Sequence, residues 1–438
     1  MDVWKMDVRR FGAHYRSRSY ARDRAYEVYA TYYDIHYPGE ERQAGRPLKL
    51  PPAYTQLEAL GAEFGEKSGW ERVNWFRSNE DPAHEDRRPH GWAGEHWSTA
   101  IVTEHLACRE RAALFDESSF AKIEVSGSDA AAFLQRICAN DIDRRVGSVV
   151  YTQMLNRRGG IESDLTVTRL SDDRFRLVIG TAFGNHDLAW IRKQLGAGQR
   201  VNVRDVTGAF ACYGIWGPGA RDVLVSATDA DLSNDAFPYL TAQAIHVGMA
   251  PCLALRVTYV GELGWEVYTP TEFGASLFEE LLRAGRDHGM VPAGYRAIDS
   301  LRVEKGYLAW GADLTPEEDP FQAGLGFAVD MEKDFLGREA LRARRGRSDR
   351  PRLACLVLDD PRATVLGNEP VFREADVVSR VTSGGAGYAV DRSIAFAYLP
   401  PALIEPGTRL ETEVFGERVG TEVVHRPIWD PAGDRIRS

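Results

Sequence analysis

Hydrophobic and polar positions fall into two regimes along the 438 residues. Residues 1–95 are polar, aromatic and rich in turn formers, with breaks at Pro38-Gly39 and Pro51-Pro52, and predict only a helix over 52–60. They read as an extended, wrapping segment. From about Gly94 the pattern becomes regular. Residues 121–125 alternate as a half-buried strand, and Ser126 to Asp129 then start a helix with Phe133, Leu134 and Ile137 on one face. Strands are predicted over 165–170 and 175–179. A helix over 273–284 carries an apolar stripe of Phe273, Leu277, Phe278, Leu281 and Leu282, and a shorter one covers 297–304. Strands and helices mix without a repeated βαβ rhythm, which predicts an α+β fold. Residues 342–352 form a charged linker. Beyond it, short strands over 353–358, 394–398, 410–415 and 419–424, divided by Gly and Pro turns, predict a small barrel or sandwich.

Two segments carry candidate chemistry. Residues 256–268 read as a hairpin with strand-like flanks at 256–259 and 265–268 and a turn at Gly261 and Gly264. Tyr259 and Glu266 can then face one pocket, where a carboxylate accepts two parallel N–H bonds from a flat heterocycle with a guanidine-like edge. An ordinary hairpin with a solvent-facing glutamate fits the same residues. In the second segment, Gly159-Gly160 is a tight turn that places Asp164 at a strand start near a concave face. A simple turn aspartate fits here too. Residues 383–387 (Ser-Gly-Gly-Ala-Gly) lack the spacing and following helix of a phosphate loop and are assigned to a barrel turn.

Composition narrows the class. With 44% hydrophobic and 27% charged residues the chain is that of a globular protein, long enough for several domains. A net charge of −10 argues against general nucleic-acid binding. Residues 1–25 do hold seven Lys/Arg against three Asp, interleaved with aromatic residues, and suggest a protein-docking surface. The five cysteines are widely spaced with no CxxC, as in reduced thiols of a cytoplasmic protein. No metal motif, signal peptide or membrane span is legible.

Seven segments stand in one order along the chain: 114–120 (Leu-Phe-Asp-Glu-Ser-Ser-Phe), 159–164 (Gly-Gly-Ile-Glu-Ser-Asp), 216–218 (Trp-Gly-Pro), 259–266 (Tyr-Val-Gly-Glu-Leu-Gly-Trp-Glu), 299–304 (Asp-Ser-Leu-Arg-Val-Glu), 335–341 and 381–384. In that order they resemble the aminomethyltransferase family, the tetrahydrofolate-dependent T-protein of glycine cleavage and its relatives. Residues 65–72, 307–311, Arg46-Pro47 and Tyr37-Pro38 look like the folate half of dimethylglycine and sarcosine dehydrogenases. Residues 6–11 look like the tail of that branch's flavin module, whose own GxGxxG does not open this chain.

The resemblance implies a three-domain cloverleaf around a folate channel: a docking segment over 1–95, a folate-binding region of two subdomains over 96–341 and a C-terminal β-barrel over 351–438. It implies Asp164 near folate N10, Glu266 on the pterin edge, and Tyr151 and Tyr259 lining the pterin pocket. Phe120 stands where the T-protein has a methionine. Two departures stand out: Ile298 occupies the place of a family arginine, so a folate-side cation is missing unless Arg296 or Arg302 substitutes, and Ser163 replaces the first of two paired aspartates. The function implied is capture of a one-carbon unit from an N-methylated amine on tetrahydrofolate, with FAD in a separate oxidoreductase subunit docked on residues 1–95. Direct methyl transfer to folate and a non-catalytic folate-binding subunit remain as alternatives.

Overall fold

In the computed structural model the strand-forming runs build two facing sheets and a closed barrel. The structure describes residues 4–347 and 349–438. The first sheet has five antiparallel strands in the order Val149–Leu155, Ile161–Ser171, Arg174–Ile179, Ala121–Ser126, Asn202–Asp205. Side chains alternate across a strand, so each sheet has two distinct faces. One face of this sheet, with Ile123, Val125, Leu165, Val167, Phe175 and Leu177, packs on helix Ala130–Ile137 and on Trp190 and Ile191 of helix Gly184–Lys193.

The second sheet runs Ala242–Val247, Ala250–Leu255, Gly264–Pro270, Phe210–Trp216, Ala113–Asp116, Val291–Ala293, and only its last pair is parallel. Its outer face, with Tyr213, Ile215, Trp265 and Val267, is covered by helix Gly274–Gly285, whose Leu277, Phe278 and Leu281 are fully buried. The two inner faces meet: Val149 and Val178 of the first sheet share a cluster with Cys212, Leu255 and Tyr268 of the second.

The C-terminal strands close a six-stranded barrel, Arg352–Leu358, Arg392–Leu399, Asp376–Gly387, Pro370–Arg373, Arg409–Val414 and Glu417–Val424, the last returning to the first. Closure removes the free edges that short strands would otherwise expose. No helix among the described residues is long and apolar enough to cross a membrane. All five cysteines are buried and free.

Four local expectations need correction. Residues 256–259 are not a strand: the partner of Gly264–Pro270 is Ala250–Leu255, and 256–263 form an irregular connection between them. Residues 383–387 are not a turn but lie within strand Asp376–Gly387. The charged stretch after residue 342 begins inside helix Arg338–Arg345. Residues 1–95 contain helix Arg18–Ala30 and the hairpin Ala62–Lys67/Trp70–Phe76. That helix has no apolar stripe to announce it, since Tyr20 is its only buried residue. The hairpin turns on Ser68 and Gly69, both at positive φ (53° and 84°), the geometry of a two-residue loop.

One buried carboxylate docks this hairpin on the core. Glu104, on helix Thr99–Glu110, accepts from the Phe76 N–H (2.8 Å), the Gly294 N–H (2.9 Å) and Asn79 Nδ2 (3.0 Å). Burial nevertheless pushes its carboxyl from 4.5 up to about 8, the three hydrogen bonds only partly offsetting desolvation. A folded-state value above the unfolded one means that this group favours folding most below pH 4.5 and that the contribution is lost as pH rises towards about 8. Urea unfolding at a series of pH values is expected to show this decline in wild type and a flatter profile in Glu104→Gln.

Candidate active site

The inner face of the first sheet carries the first cluster. Asp164 lies opposite Gln153 and Tyr151 opposite Thr166 in the ladder, so Tyr151, Gln153 and Asp164 point the same way. Gln153 Nε2 donates to Asp164 Oδ1 (2.9 Å), and Tyr151 stands on the same face beside them. Gln153 Oε1 is buried with no partner. Desolvation raises Asp164 to about 6, against the pull of Gln153 and Tyr151. The turn before it works as the glycines suggested. Gly159 has φ +81°, and a Cβ on Gly160 would lie 1.9 Å from the Pro316 carbonyl oxygen. Asp164 itself sits three residues inside strand Ile161–Ser171, not at its start.

The inner face of the second sheet carries the other cluster. Glu266 shares a face with Tyr268 and Cys212 and accepts from the Tyr268 hydroxyl. Burial raises its carboxyl, while Tyr268 and the Lys122 ammonium pull it back. Lys122 is fully buried, lowered to about 8 by desolvation, with Nζ donating to the carbonyls of Ser118 (2.9 Å) and Phe120 (2.9 Å). Phe120 packs on the apolar cluster shared by the two sheets and on the one around helix Tyr295–Glu304, with an edge contact to Tyr295 at 6.1 Å. It therefore stands where the two sheets meet.

Tyr259 arrives by another route. Its hydroxyl donates to the Leu308 carbonyl (2.8 Å), and its ring stacks on Tyr307 at 5.9 Å. The charges of Asp164 and Asp299 both act on it, so it stands near Asp164 rather than across a ladder from Glu266. Its irregular connection is held by a buried ion cluster. Arg109 bonds the Val260 carbonyl (2.7 Å), Glu262 (2.8 Å) and Glu304 (2.9 Å), and His105 reaches Glu304 at 3.2 Å.

The two candidate replacement cations behave differently from expectation. Arg302 is almost fully buried and engaged by Asp313 (3.1 Å), Ser383 Oγ (3.0 Å) and the Tyr307 carbonyl (3.3 Å), tying helix Tyr295–Glu304 to the barrel. Arg296 is one-third exposed and near Glu41 at 3.9 Å. Ile298 is buried among Tyr295, Ala297 and Leu301. A cation with no role in the sequence reading, Arg72 of the N-terminal hairpin, lies over the Tyr295 ring at 3.2 Å, its Nε buried and unpartnered.

Comparison with known proteins gives the family and the fold. Residues 53–333 match the GCVT N-terminal domain and 352–430 the glycine cleavage T-protein C-terminal barrel domain. The chain is 31% identical over 379 residues to an aminomethyltransferase of Desulfitobacterium hafniense, covering 86% of this chain and 97% of that protein. This chain belongs to the aminomethyltransferase family. The crystal structure of glycine cleavage system aminomethyltransferase T from Bartonella henselae superposes with a TM-score of 0.74 at 29% identity, covering 87% of this chain and 98% of that one. Residues 1–50 match a different model, the FAD dependent oxidoreductase central domain.

Two longer relatives match over the whole chain: 4-methylaminobutanoate oxidase (formaldehyde-forming) of Paenarthrobacter nicotinovorans at 36% identity and dimethylglycine dehydrogenase of Rattus norvegicus at 32%. The chain spans 52% and 51% of their lengths. In this chain, the sequence reading passed over Gln153, Lys122 and Arg72. Gln153 had a usable signal, since it alternates with Tyr151 on the strand before the double glycine. Arg72 had none, because only the docking of the hairpin brings it inward.

The ion cluster yields a direct expectation. Arg109→Ala removes the cation that Glu262 and Glu304 share, leaving Glu262 to Arg435 (2.6 Å) and Glu304 to His105 (3.2 Å), a change expected to cost about 3 kcal/mol, the low end for a broken buried pair. Chemical denaturation is expected to show that loss, whereas removing the exposed Arg283–Glu280 pair by Arg283→Ala is expected to leave the midpoint nearly unchanged.

Proposed function

We propose that this chain is a tetrahydrofolate-dependent one-carbon transferase. It captures a formaldehyde-level unit, released in demethylation of a small N-methylated amine, as methylenetetrahydrofolate. The observation that carries the reading is that Asp164 and Tyr151, which the family resemblance assigns to folate, share one inner face, with Gln153 beside them donating to Asp164. Tetrahydrofolate fits the donor set. Gln153 Oε1 is a buried acceptor without a partner, and Glu266 is a second acceptor on the facing sheet. Both suit a flat heterocycle rich in N–H groups.

Tetrahydrofolate supplies two amine nitrogens, which make the new bonds. The chain supplies position and proton handling. Glu266 holds the pterin edge, and Tyr151, Tyr259 and Phe120 wall it, contributing through effective molarity. Asp164 takes up the proton released at N10, help worth about 10²–10⁴-fold. Arg302, locked on Asp313, acts by holding helix Tyr295–Glu304 against the barrel, beside the Tyr307–Tyr259 stack.

Amine oxidation is assigned to an FAD-bearing oxidoreductase module seated on residues 1–95. Three findings support this: the oxidoreductase match over residues 1–50, relatives about twice as long, and a run of exposed apolar side chains at Tyr26, Tyr29, Tyr32, Tyr33 and Ile35. The buried, unpaired thiols suit a reducing compartment such as the cytoplasm.

Turnover of formaldehyde with tetrahydrofolate is expected to fall as pH drops through about 6, because Asp164 acts as a base and its carboxyl titrates there. Asp164→Asn is expected to lose at least about 100-fold in kcat with tetrahydrofolate affinity largely kept. Glu266→Ala is expected to weaken that affinity. Unchanged turnover in Asp164→Asn, or no tetrahydrofolate binding by the wild type, sinks the reading. Methyltetrahydrofolate as the product from a methylated donor would instead assign direct methyl transfer.

A further inference from the structure

We propose that Glu117 is a second acid of the heterocycle site, standing beside Glu266 as a neutral carboxylic acid and presenting a hydroxyl donor to the same bound ring. This rests on the folate reading above and narrows it. The ring selected is one whose edge carries an acceptor next to its N–H donors, as a 2-amino-4-oxo pyrimidine edge does.

Position comes first. Glu117 directly follows strand Ala113–Asp116, and its N–H donates to the Cys212 carbonyl (2.9 Å). Phe115, Gly214 and Glu266 form one row across three strands. Glu117 therefore leaves the sheet one step from that row, towards Glu266 and Tyr268. Gly214 keeps the space beside it open: a Cβ there would lie 3.0 Å from Glu117 Oε2 and 2.5 Å from the Trp216 ring.

The side chain is fully buried, and neither carboxylate oxygen has a hydrogen-bond partner. Buried polar groups are nearly always paired, so two orphaned oxygens on one carboxyl point to a missing partner. No adjacent cation bonds it. Lys122 donates to two carbonyls, and the Arg72 guanidinium lies over Tyr295.

An ionised carboxylate in that position would be desolvated with no cation bonded to it, which favours the protonated form. Burial and then the neighbouring charge of Glu266 hold the proton on Glu117, well above the usual carboxylate range. Arg72 and Lys122 act in the opposite direction and Asp116 with Glu266. Cys212, Tyr268 and Tyr295 complete the titratable groups facing it. A protonated acid is both donor and acceptor, whereas Glu266 as a carboxylate only accepts. Together the two present the mixed pattern that a ring with N–H groups and a neighbouring lone pair requires.

The test is tetrahydrofolate affinity by titration calorimetry, between roughly pH 6 and pH 9, for the wild type, Glu117→Gln, Glu117→Leu and Glu266→Ala, with thermal melts to confirm folding. Glutamine reproduces the donor–acceptor pattern of the neutral acid. Glu117→Gln is therefore expected to bind within about threefold of wild type, and Glu117→Leu about five- to tenfold more weakly. Wild-type affinity is expected to fall at the alkaline end, and that of Glu117→Gln to stay level. Wild-type affinity in Glu117→Leu overturns the proposal, as does a Glu117→Gln variant as weak as the leucine one. Should Glu117→Leu bind normally while Glu266→Ala does not, the proposal falls and the folate reading stands. Should the wild type not bind at all, both fall.

Discussion

The structure depends on one constraint: each of two sheets has a helix-covered apolar face, and the remaining faces must cover each other while carrying charge. Val149, Val178, Cys212, Leu255 and Tyr268 supply apolar contact between them. Lys122, Asp164, Glu266 and Glu117 sit in the same layer. A charge that is buried there needs a partner or loses its charge. Lys122 finds carbonyls, and Glu266 finds Tyr268. Asp164 finds Gln153, yet desolvation still pushes its carboxyl up to about 6. The places where pairing stays incomplete, at Glu117 and Gln153 Oε1, are those where a ligand fits.

The buried ion cluster plays a different part. Arg109 joins the connection bearing Tyr259 to helix Tyr295–Glu304, and Arg302 joins that helix to the barrel through Asp313 and Ser383. An irregular connection can hold an aromatic wall in place only if its backbone groups are satisfied, and the Val260 carbonyl on Arg109 does this. These charges are structural, although helix Tyr295–Glu304 lies in a family motif.

Much of the fold was legible because binary patterns are local. The stripe on helix Gly274–Gly285 and the alternation of Ala121–Ser126 need no long-range information. Helix Arg18–Ala30 was invisible because it buries little, and 256–259 misread because β-rich composition in Arg-Val-Thr-Tyr does not decide pairing. Asp164 and Glu266 stood out locally, from a double-glycine turn and a hairpin pattern, but their folate roles, and Tyr151 with them, came only from the order of motifs along the chain. Glu117 lay inside a quoted motif but drew no role, because a glutamate after a short strand usually faces water. Arg302 was read as a ligand-side cation because local sequence does not show that Asp313 already holds it.

The central claim is that the layer between the two sheets is a folate site. A crystal structure of the chain with tetrahydrofolate tests it most directly. The account predicts the pterin between the two inner faces, its edge on Glu266 and N10 beside Asp164. Folate bound elsewhere, with Asp164 and Glu266 still closed against the protein, contradicts it.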